Sequence, residues 1–425
     1  MPDRTAAMTG GKCFELRVSL WNNERDIQLN FPPEWEVIEC PMAGHNLPPL
    51  PDSKIKEAFA NPIGSLRIRD LARGKQKVVI LFDDMSRPTP VQKILPFVIE
   101  ELAAGGVGAD KIRLVCAIGC HRPLSRQEFI AKLGREIVEN YTIFNHNAYE
   151  HHVNMGTTGR GTPVLINREV AGCDLKIGIG SIIPHPNAGF AGGAKILLPG
   201  VSSLDSVAHN HVNFNQKKYP EVIGIGKVNK NHRRLDMEEA ARLAGLDVVV
   251  NAVINHKKDV LGMFVGDFVE AHRAGTTSGK EVYLTENRGK FDILVLNTFP
   301  IEETPSKALW AVRESLAEGG DIVLVWQSED GMVPHFLQGT FGSDYGGKDW
   351  HKPGPLRTSQ AKRLYIYAEH LSKQERLWWG PEDQVLWFRD WQELIASLKA
   401  RHSAGTRVGI YPYCTLQCPP LCDEE

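Results

Sequence analysis

Continuous apolar runs, rather than alternating ones, set the pattern of this chain. Val78–Phe82, Ile112–Ile118, Leu175–Ile179, Val248–Val253 and Ile293–Leu296 are short and rich in Val and Ile. Such runs suit strands of a parallel sheet buried on both faces. Amphipathic stretches lie between them. Val91–Leu102 carries apolar residues at 91, 95, 98, 99 and 102. Ser125 precedes Glu128 by three residues, the spacing of a capping box, and predicts a helix over Ser125–Leu133. Met237–Leu243 ends at Gly245, and Val269–Ala274 runs to a turn at Gly275.

This alternation predicts an α/β fold of two domains, with mostly parallel sheets flanked by helices and the active site in the interdomain cleft. The polar stretch Thr276–Lys290 places the boundary: residues 1–275 form an N-terminal cofactor-binding and catalytic domain, and 276–425 a C-terminal domain completing the substrate pocket. Strands of the second domain are expected at Asp292–Leu296, Ile322–Val325, Leu364–Tyr367 and Arg407–Ile410, with helices at Ser306–Leu316 and Trp391–Leu398. Phe14–Leu20 is a candidate edge strand. Gly331–Leu356 reads as an irregular insertion, and the tail from Tyr413 as a loop or frayed end.

Composition changes this picture little. The 425 residues carry 49 Lys plus Arg against 51 Asp plus Glu, a formal net charge of -2, which argues against an electrostatically driven nucleic-acid binder. No apolar run has the length of a membrane span, and the N-terminus does not read as a secretory signal. Eight cysteines are too sparse for a disulfide scaffold at this length, so a cytoplasmic location is expected. Cys414, Cys418 and Cys422, spaced by four, read as bland tail residues ahead of a metal or redox role.

Placement of polar residues is more informative. Ligands of open parallel sheets bind beyond the carboxyl ends of the strands. There this chain presents DDMSRPTP with Asp83, Asp84 and Arg87; GCHRPLS with Cys120, His121 and Arg122; SIIPHPNAGFAGGAK with His185 and Lys195; and NTFPIEETPSK with Glu302, Glu303 and Lys307. Arg87 suits a planar carboxylate or phosphate, or an ion pair with its neighbouring aspartates. Asp84 reads as an orienting group or a cap. His121 is a candidate general acid/base, and Cys120 a buried filler. Gly189, Gly192 and Gly193 would let backbone approach a cofactor phosphate, although the spacing matches neither a P-loop nor a dinucleotide fingerprint. Lys195 is a phosphate contact or a nucleophilic amine. Eight of the 15 histidines fall between positions 121 and 232, which supports the same cleft. His209 and His211 lie on a predicted helix and diverge by about 200°, so one of them is expected in the site. No HExxH or paired CxxC motif gives a warrant for conventional zinc chemistry.

NPIGS…LARGK, DDMSRPTP, GCHRP, AGFAGGAK…LPG, the HNH segment and FVGDFVEAH occur in this order between Asn61 and His272. With them the chain resembles the lactate racemase family, nickel-pincer enzymes that isomerise 2-hydroxy acids. The resemblance implies a cofactor of nickel and pyridinium-3,5-bisthiocarboxylic acid mononucleotide, attached covalently to Lys195. It implies His211 as the protein ligand of the metal, His121 and His185 as paired acid/bases, and Asp84 and Arg87 as the family's Asp and Arg, with Arg87 clamping substrate. One histidine would take the hydroxyl proton while the C2 hydride moves reversibly to the cofactor; return to the other face inverts the centre. Cofactor-maturation proteins are implied partners, a homodimer is an assembly it allows, and neither nucleic acid nor membrane is expected.

The second domain departs from the family. FPIEETPSKALW stands where relatives place a YP segment, a glutamine and then a lysine, so either Lys307 or Trp310 takes the lysine place. WQSEDGMVPHF replaces a glycine-rich DGHGG run. Lys307, Trp310 and His335 are therefore the candidate substrate-pocket residues, and the expected substrate is a 2-hydroxy acid other than lactate. Two alternatives remain open: a net 2-hydroxy acid oxidoreductase using the same centre, and a non-catalytic cofactor-binding or sensing protein.

Overall fold

The computed structural model describes residues 11–333, 335, 356–358 and 360–420. Most of the expected insertion at 331–356, and Cys422, lie outside them. The chain divides into two compact units. The larger is built on Met42–Leu284 and takes in Val333, His335 and the residues from Leu416 onward. The smaller comprises the residues up to Pro41, Thr285–Met332 and the stretch that ends at Thr415.

In the larger unit a six-stranded sheet has the order Val260–Gly266, Val248–Ile254, Leu175–Ser181, Val78–Phe82, Ile112–Cys116, Thr142–Asn145. All neighbours are parallel except the first pair. Every residue of Val78–Phe82 and Leu175–Ser181 is buried, as the unbroken apolar runs require. The capping box at Ser125 and Glu128 is formed, and the helix Arg126–Leu133 follows it.

The smaller unit holds a second six-stranded sheet, wholly parallel, in the order Val385–Phe388, Arg363–Tyr367, Leu316–Val325, Phe291–Asn297, Arg407–Tyr411, Glu36–Glu39. An antiparallel hairpin, Lys12–Val18 with Arg25–Phe31, packs Leu16, Val18, Leu29 and Phe31 into that sheet's core.

Three expectations need correction. Residues before Met42 group with the smaller unit, because Glu36–Glu39 pairs with Arg407–Tyr411. The polar segment from Thr276 is no boundary: the helix Glu270–Val282 continues through it. Its buried face is Ala271, His272, Gly275, Thr276, Gly279 and Val282, and a Cβ on Gly275 would lie 2.0 Å from Ile182. Small residues there permit close helix–sheet approach, which a hydropathy count reads as a linker. The tail is also ordered through Pro420. Cys414 is buried in the core of the smaller unit and its thiol meets the Ala308 carbonyl; Cys418 is buried in the larger unit and donates its N–H to Tyr283. Among the described residues no helix is long and apolar enough to cross a membrane.

Candidate active site

The turn after Val78–Phe82 is held from behind. Lys132, fully buried on the capped helix, pairs with Asp83 Oδ1 at 2.9 Å and donates to the carbonyls of Asp84 at 2.9 Å and Arg87 at 2.8 Å. Thr89 donates its hydroxyl to the other Asp83 oxygen. Asp83 is thereby a structural counter-charge, and Asp84 is the carboxylate presented forward. Ser86 donates both its N–H, at 3.1 Å, and its hydroxyl, at 2.5 Å, to Asp84 Oδ1. Asp84 Oδ2 lies 2.5 Å from His121 Nδ1. Burial pushes the Asp84 carboxyl up, but the charge and hydrogen bond of His121, with Arg87 and Ser86, outweigh it and hold it well below the usual carboxylate range.

His121 reaches Asp84 through a tight turn. Gly119 has φ +57°, and His121 N–H bonds back to the Ile118 carbonyl at 3.0 Å. Arg122 forms two bonds to Glu128, at 3.1 and 2.7 Å, so it braces this loop against the helix. Cys120 is buried in the core, with its thiol pushed up to about 12 by burial, which fits the filler reading. The His335 ring stands edge-on to His121, with centroids 5.2 Å apart.

The glycine loop folds as a small hairpin, Pro184–His185 against Gly189–Phe190. Its glycines are required by the protein's own packing. Gly189, Gly192 and Gly193 all have positive φ, at +74°, +79° and +59°. A Cβ on Gly189 would sit 2.1 Å from the Lys227 carbonyl oxygen, and one on Gly193 2.9 Å from the His272 ring. The Gly193 N–H is already donated to Asn251 Oδ1 at 2.8 Å. Buried Arg234 gathers the carbonyls of Ala188, Phe190 and Gly192, while His272 Nε2 bonds Ala191 O at 2.9 Å.

This loop delivers Lys195 beside the Asp84 turn. Burial, reinforced by the guanidiniums of Arg87, Arg234 and Arg233, pushes the Lys195 amine well below its ordinary value; Asp84 opposes this weakly. A lowered proton affinity of this kind favours the nucleophilic form of an amine. His211 belongs to the same neighbourhood: burial, then Arg233, His335 and Lys195, pushes its imidazole well below its usual range. Its Nδ1 is buried without a hydrogen-bond partner. His209, two residues away on the helix Leu204–Asn213, turns instead to Thr162 at 2.8 Å, which in turn bonds Asp236. The two histidines face different neighbours, as helical spacing predicts. His335 is pushed down to about 3 by burial, with His121, Lys195 and Arg87 adding to the effect.

The larger unit therefore gathers Asp84, Arg87, His121, Lys195, His211 and His335, with His185 on the lysine's own loop. Not every histidine of the dense stretch between 121 and 232 belongs to this cluster. His146 is buried against the Ser202 carbonyl at 2.9 Å and beside His152, whose Nε2 bonds Asn147 O; these rings pin loops. Lys307 and Trp310 lie in the smaller unit, on the turn Pro305–Leu309 and at the start of the helix Trp310–Ser315. The Trp310 N–H is donated to Cys414 O at 2.7 Å and its ring stands edge-on to Tyr411, so its polar edge is already used. Lys132 and Arg234 were not foreseen. A lysine or arginine on an amphipathic helix reads as solvated surface, and only the fold shows which backbone carbonyls it meets.

Among the described residues no three His, Cys, Asp or Glu side chains gather as a metal cage. The larger unit offers an unpartnered buried nitrogen on His211 and an amine of lowered proton affinity on Lys195. Both fit a metal that arrives with most of its ligands on an organic group fastened to the chain.

Comparison with known proteins agrees with this architecture. The family model described as the lactate racemase N-terminal domain matches residues 23–222. That span holds Asp84, Arg87, His121, His185, Lys195 and His211, but not Lys307, Trp310 or His335. The lactate racemase of Lactiplantibacillus plantarum is 33% identical over 286 residues, 65% of this chain. That of Thermoanaerobacterium thermosaccharolyticum is 32% identical over 285 residues, again 65% of this chain. Each match spans 66% of the relative's length. The lactate racemase apoprotein structure from T. thermosaccharolyticum superposes with a TM-score of 0.74 at 21% identity, over 96% of this chain and 100% of that one. A Thermotoga maritima protein superposes at 0.64 and 17% identity, over 87% and 99%. At these identities the two structures speak for the fold.

Proposed function

Because the chain belongs to the lactate racemase family, we propose that it is an isomerase that racemises or epimerises a 2-hydroxy acid other than lactate. The observation that carries the reading is the Asp84–His121 pair at 2.5 Å, set beside Arg87 and a Lys195 amine whose proton affinity burial lowers. A dyad of this kind is an acid/base device, and a bare binding protein has no use for it.

Lys195 would carry the nickel-pincer nucleotide and His211 would ligate its metal. When bound, that group supplies an acceptor for the C2 hydrogen of the substrate. The remaining work falls to the chain. Arg87 receives the substrate carboxylate with its planar fork, and its own NH1 is steadied by Ser86 through the carbonyl at 2.8 Å and the hydroxyl at 2.9 Å. His121 takes or returns the hydroxyl proton, and Asp84 balances the charge of the imidazolium. His185 is the second acid/base candidate. The non-lactate substrate is supported by the changed segments at FPIEETPSKALW and WQSEDGMVPHF, and by His335, which stands against His121.

Chain produced together with cofactor-maturation proteins tests this reading. Intact mass is expected to show an adduct that Lys195→Ala abolishes, with about one nickel per chain by elemental analysis. Enantiopure 2-hydroxy acids incubated with that protein in deuterated water should invert with little deuterium at C2. An unmodified Lys195 under these conditions, or inversion with extensive solvent exchange, would refute the mechanism.

A further inference from the structure

We propose that Arg233 and Arg234 are a paired clasp of positioning residues: Arg233 fixes the end of the helix that carries His211, Arg234 fixes the loop that carries Lys195, and their adjacency sets the spacing between the two. The clasp stands on hydrogen bonds; that it serves a metal at His211 and an organic group on Lys195 rests on the function proposed above. Both arginines lie beyond the residues that the family model matches.

The helix His232–Leu243 reads HRRLDMEEAARL, a sequence that suits solvent, yet Asn231, Arg233, Arg234 and Asp236 at its start are all buried. Burial pushes both guanidiniums down to about 10, so each is held inside at a cost. Their donors go to main-chain carbonyls. Arg233 donates from Nε to Phe214 O at 2.5 Å and from NH2 to His211 O at 2.8 Å. Both carbonyls lie at the end of the helix Leu204–Asn213, where the helical ladder leaves acceptors unmet. Asn210, next to His211, donates its amide to Asp236 at 2.7 Å and to the Arg233 carbonyl at 3.4 Å, so the same stretch grips this helix twice. Successive residues of a helix point about 100° apart, and Arg234 accordingly serves a second target. Its NH1 meets Gly192 O at 2.9 Å, its Nε and NH2 meet Ala188 O at 3.3 and 3.2 Å, and NH2 also meets Phe190 O. Asn231 adds Asn187 O at 3.1 Å.

A planar fork fixes direction as well as distance, whereas a lysine in its place is a point charge on a flexible stem. The brace also closes on itself. Glu238, one turn further along the helix, holds Arg273 at 2.7 and 3.1 Å, and the neighbouring His272 holds Ala191 O at 2.9 Å, so the lysine loop is gripped from a second side. His211 and Lys195 are electrostatic neighbours. Their spacing matters where one organic group is fastened at Lys195 while its metal takes the His211 nitrogen. Arg234 therefore governs attachment at the loop, and Arg233 governs retention of the metal at the helix end.

Amide hydrogen exchange on the full-length chain, without cofactor, tests the clasp in Arg233→Gln and Arg234→Gln, with Arg233→Lys and Arg234→Lys as variants that keep the charge. The Arg233 variants should speed exchange over 211–215 by about tenfold, the effect of losing one or two hydrogen bonds, and leave 187–193 as in the parent. The Arg234 variants should do the reverse. Both segments loosening together, or neither, would overturn the proposal. Chain produced with cofactor-maturation proteins then separates positioning from bulk stability. Arg234→Lys should lower the fraction carrying an adduct by intact mass, with nickel per adduct unchanged. Arg233→Lys should keep the adduct and lose nickel on dialysis against a chelator. Equal losses of adduct and nickel in both variants would also overturn the clasp. A parent chain that takes no adduct refutes the proposed function, and the exchange data still decide the clasp. A loaded, active parent whose variants exchange like it refutes the clasp and leaves the proposed function standing.

Discussion

Two loops occupy equivalent places in their sheets, and their acidic residues do opposite things. After Val78–Phe82 comes Asp83-Asp84; after Phe291–Asn297 comes a segment carrying Glu302-Glu303. Asp84 is buried yet ionised, because His121, Arg87 and Ser86 compensate its charge, and it faces the His121 ring. Glu302 is equally buried, but its Oε1 accepts the main-chain N–H groups of Ser19 at 2.8 Å and Leu20 at 3.3 Å. Burial lifts its carboxyl to about 7, and these main-chain hydrogen bonds offset it only in part. The first loop sets a carboxylate against an imidazole, while the second ties the end of the N-terminal hairpin to the smaller unit's sheet. Position at the carboxyl end of a parallel strand therefore finds both loops and distinguishes neither; the distinguishing fact is which partner comes from elsewhere in the chain.

Charge-neutral amides should separate them most sharply. Asp84→Asn keeps the shape but offers N–H to His121 Nδ1, which favours the wrong tautomer. Turnover of the loaded enzyme is expected to fall roughly 10²- to 10⁴-fold, the usual share of acid/base catalysis. Glu302→Gln should leave turnover essentially unchanged. A steady-state comparison of the two variants decides the matter, and comparable losses in both would erase the contrast.

Lys132→Met is the next largest effect, and it falls on folding. Removing the ammonium leaves Asp83 buried beside Asp84 without its counter-charge and strips two carbonyls of their donor. A loss of about 3–5 kcal/mol is expected from breaking a buried pair on one side. Denaturant midpoints measure it. A loss below about 1 kcal/mol, the range of an exposed pair, would mean that Lys132 does not hold the turn.

The sequence made the interior of the fold legible and left its margins blurred. The eight central strands of the two sheets all announce themselves as apolar runs. The four edge strands, Thr142–Asn145, Val260–Gly266, Glu36–Glu39 and Val385–Phe388, do not. An edge strand is covered on fewer sides: Thr142–Asn145 alternates exposed and half-buried residues, so nothing in its composition demands a sheet. The site divides along similar lines. Asp84, Arg87, His121 and Lys195 were visible because they follow central strands or end a glycine loop. Lys132, Arg234 and Asn251 were not, because their work is to meet backbone groups distant in sequence. His146 and His152 were miscounted for the converse reason: a histidine binding a loop carbonyl has the same letter as one poised to react.

The smallest of these effects tests the structural half of the contrast. A carboxyl lifted to about 7 in the folded chain, from 4.5 in the unfolded one, binds more protons folded than unfolded between those two values. Stability from this group is therefore full below about pH 4.5 and declines as pH rises toward 7, by roughly 3 kcal/mol over the whole window. An Asp or Glu held low by a cation, as Asp84 is, acts in the other direction and loses stability as pH falls. Glu302→Gln removes the titration while keeping an oxygen to accept from Ser19 and Leu20. Urea midpoints of the parent chain relative to the variant should thus drift downward between pH 5 and pH 7. A flat difference across that range would show that Glu302 carries its charge in the fold like its counterpart in the first loop, and that the two loops differ less than their partners imply.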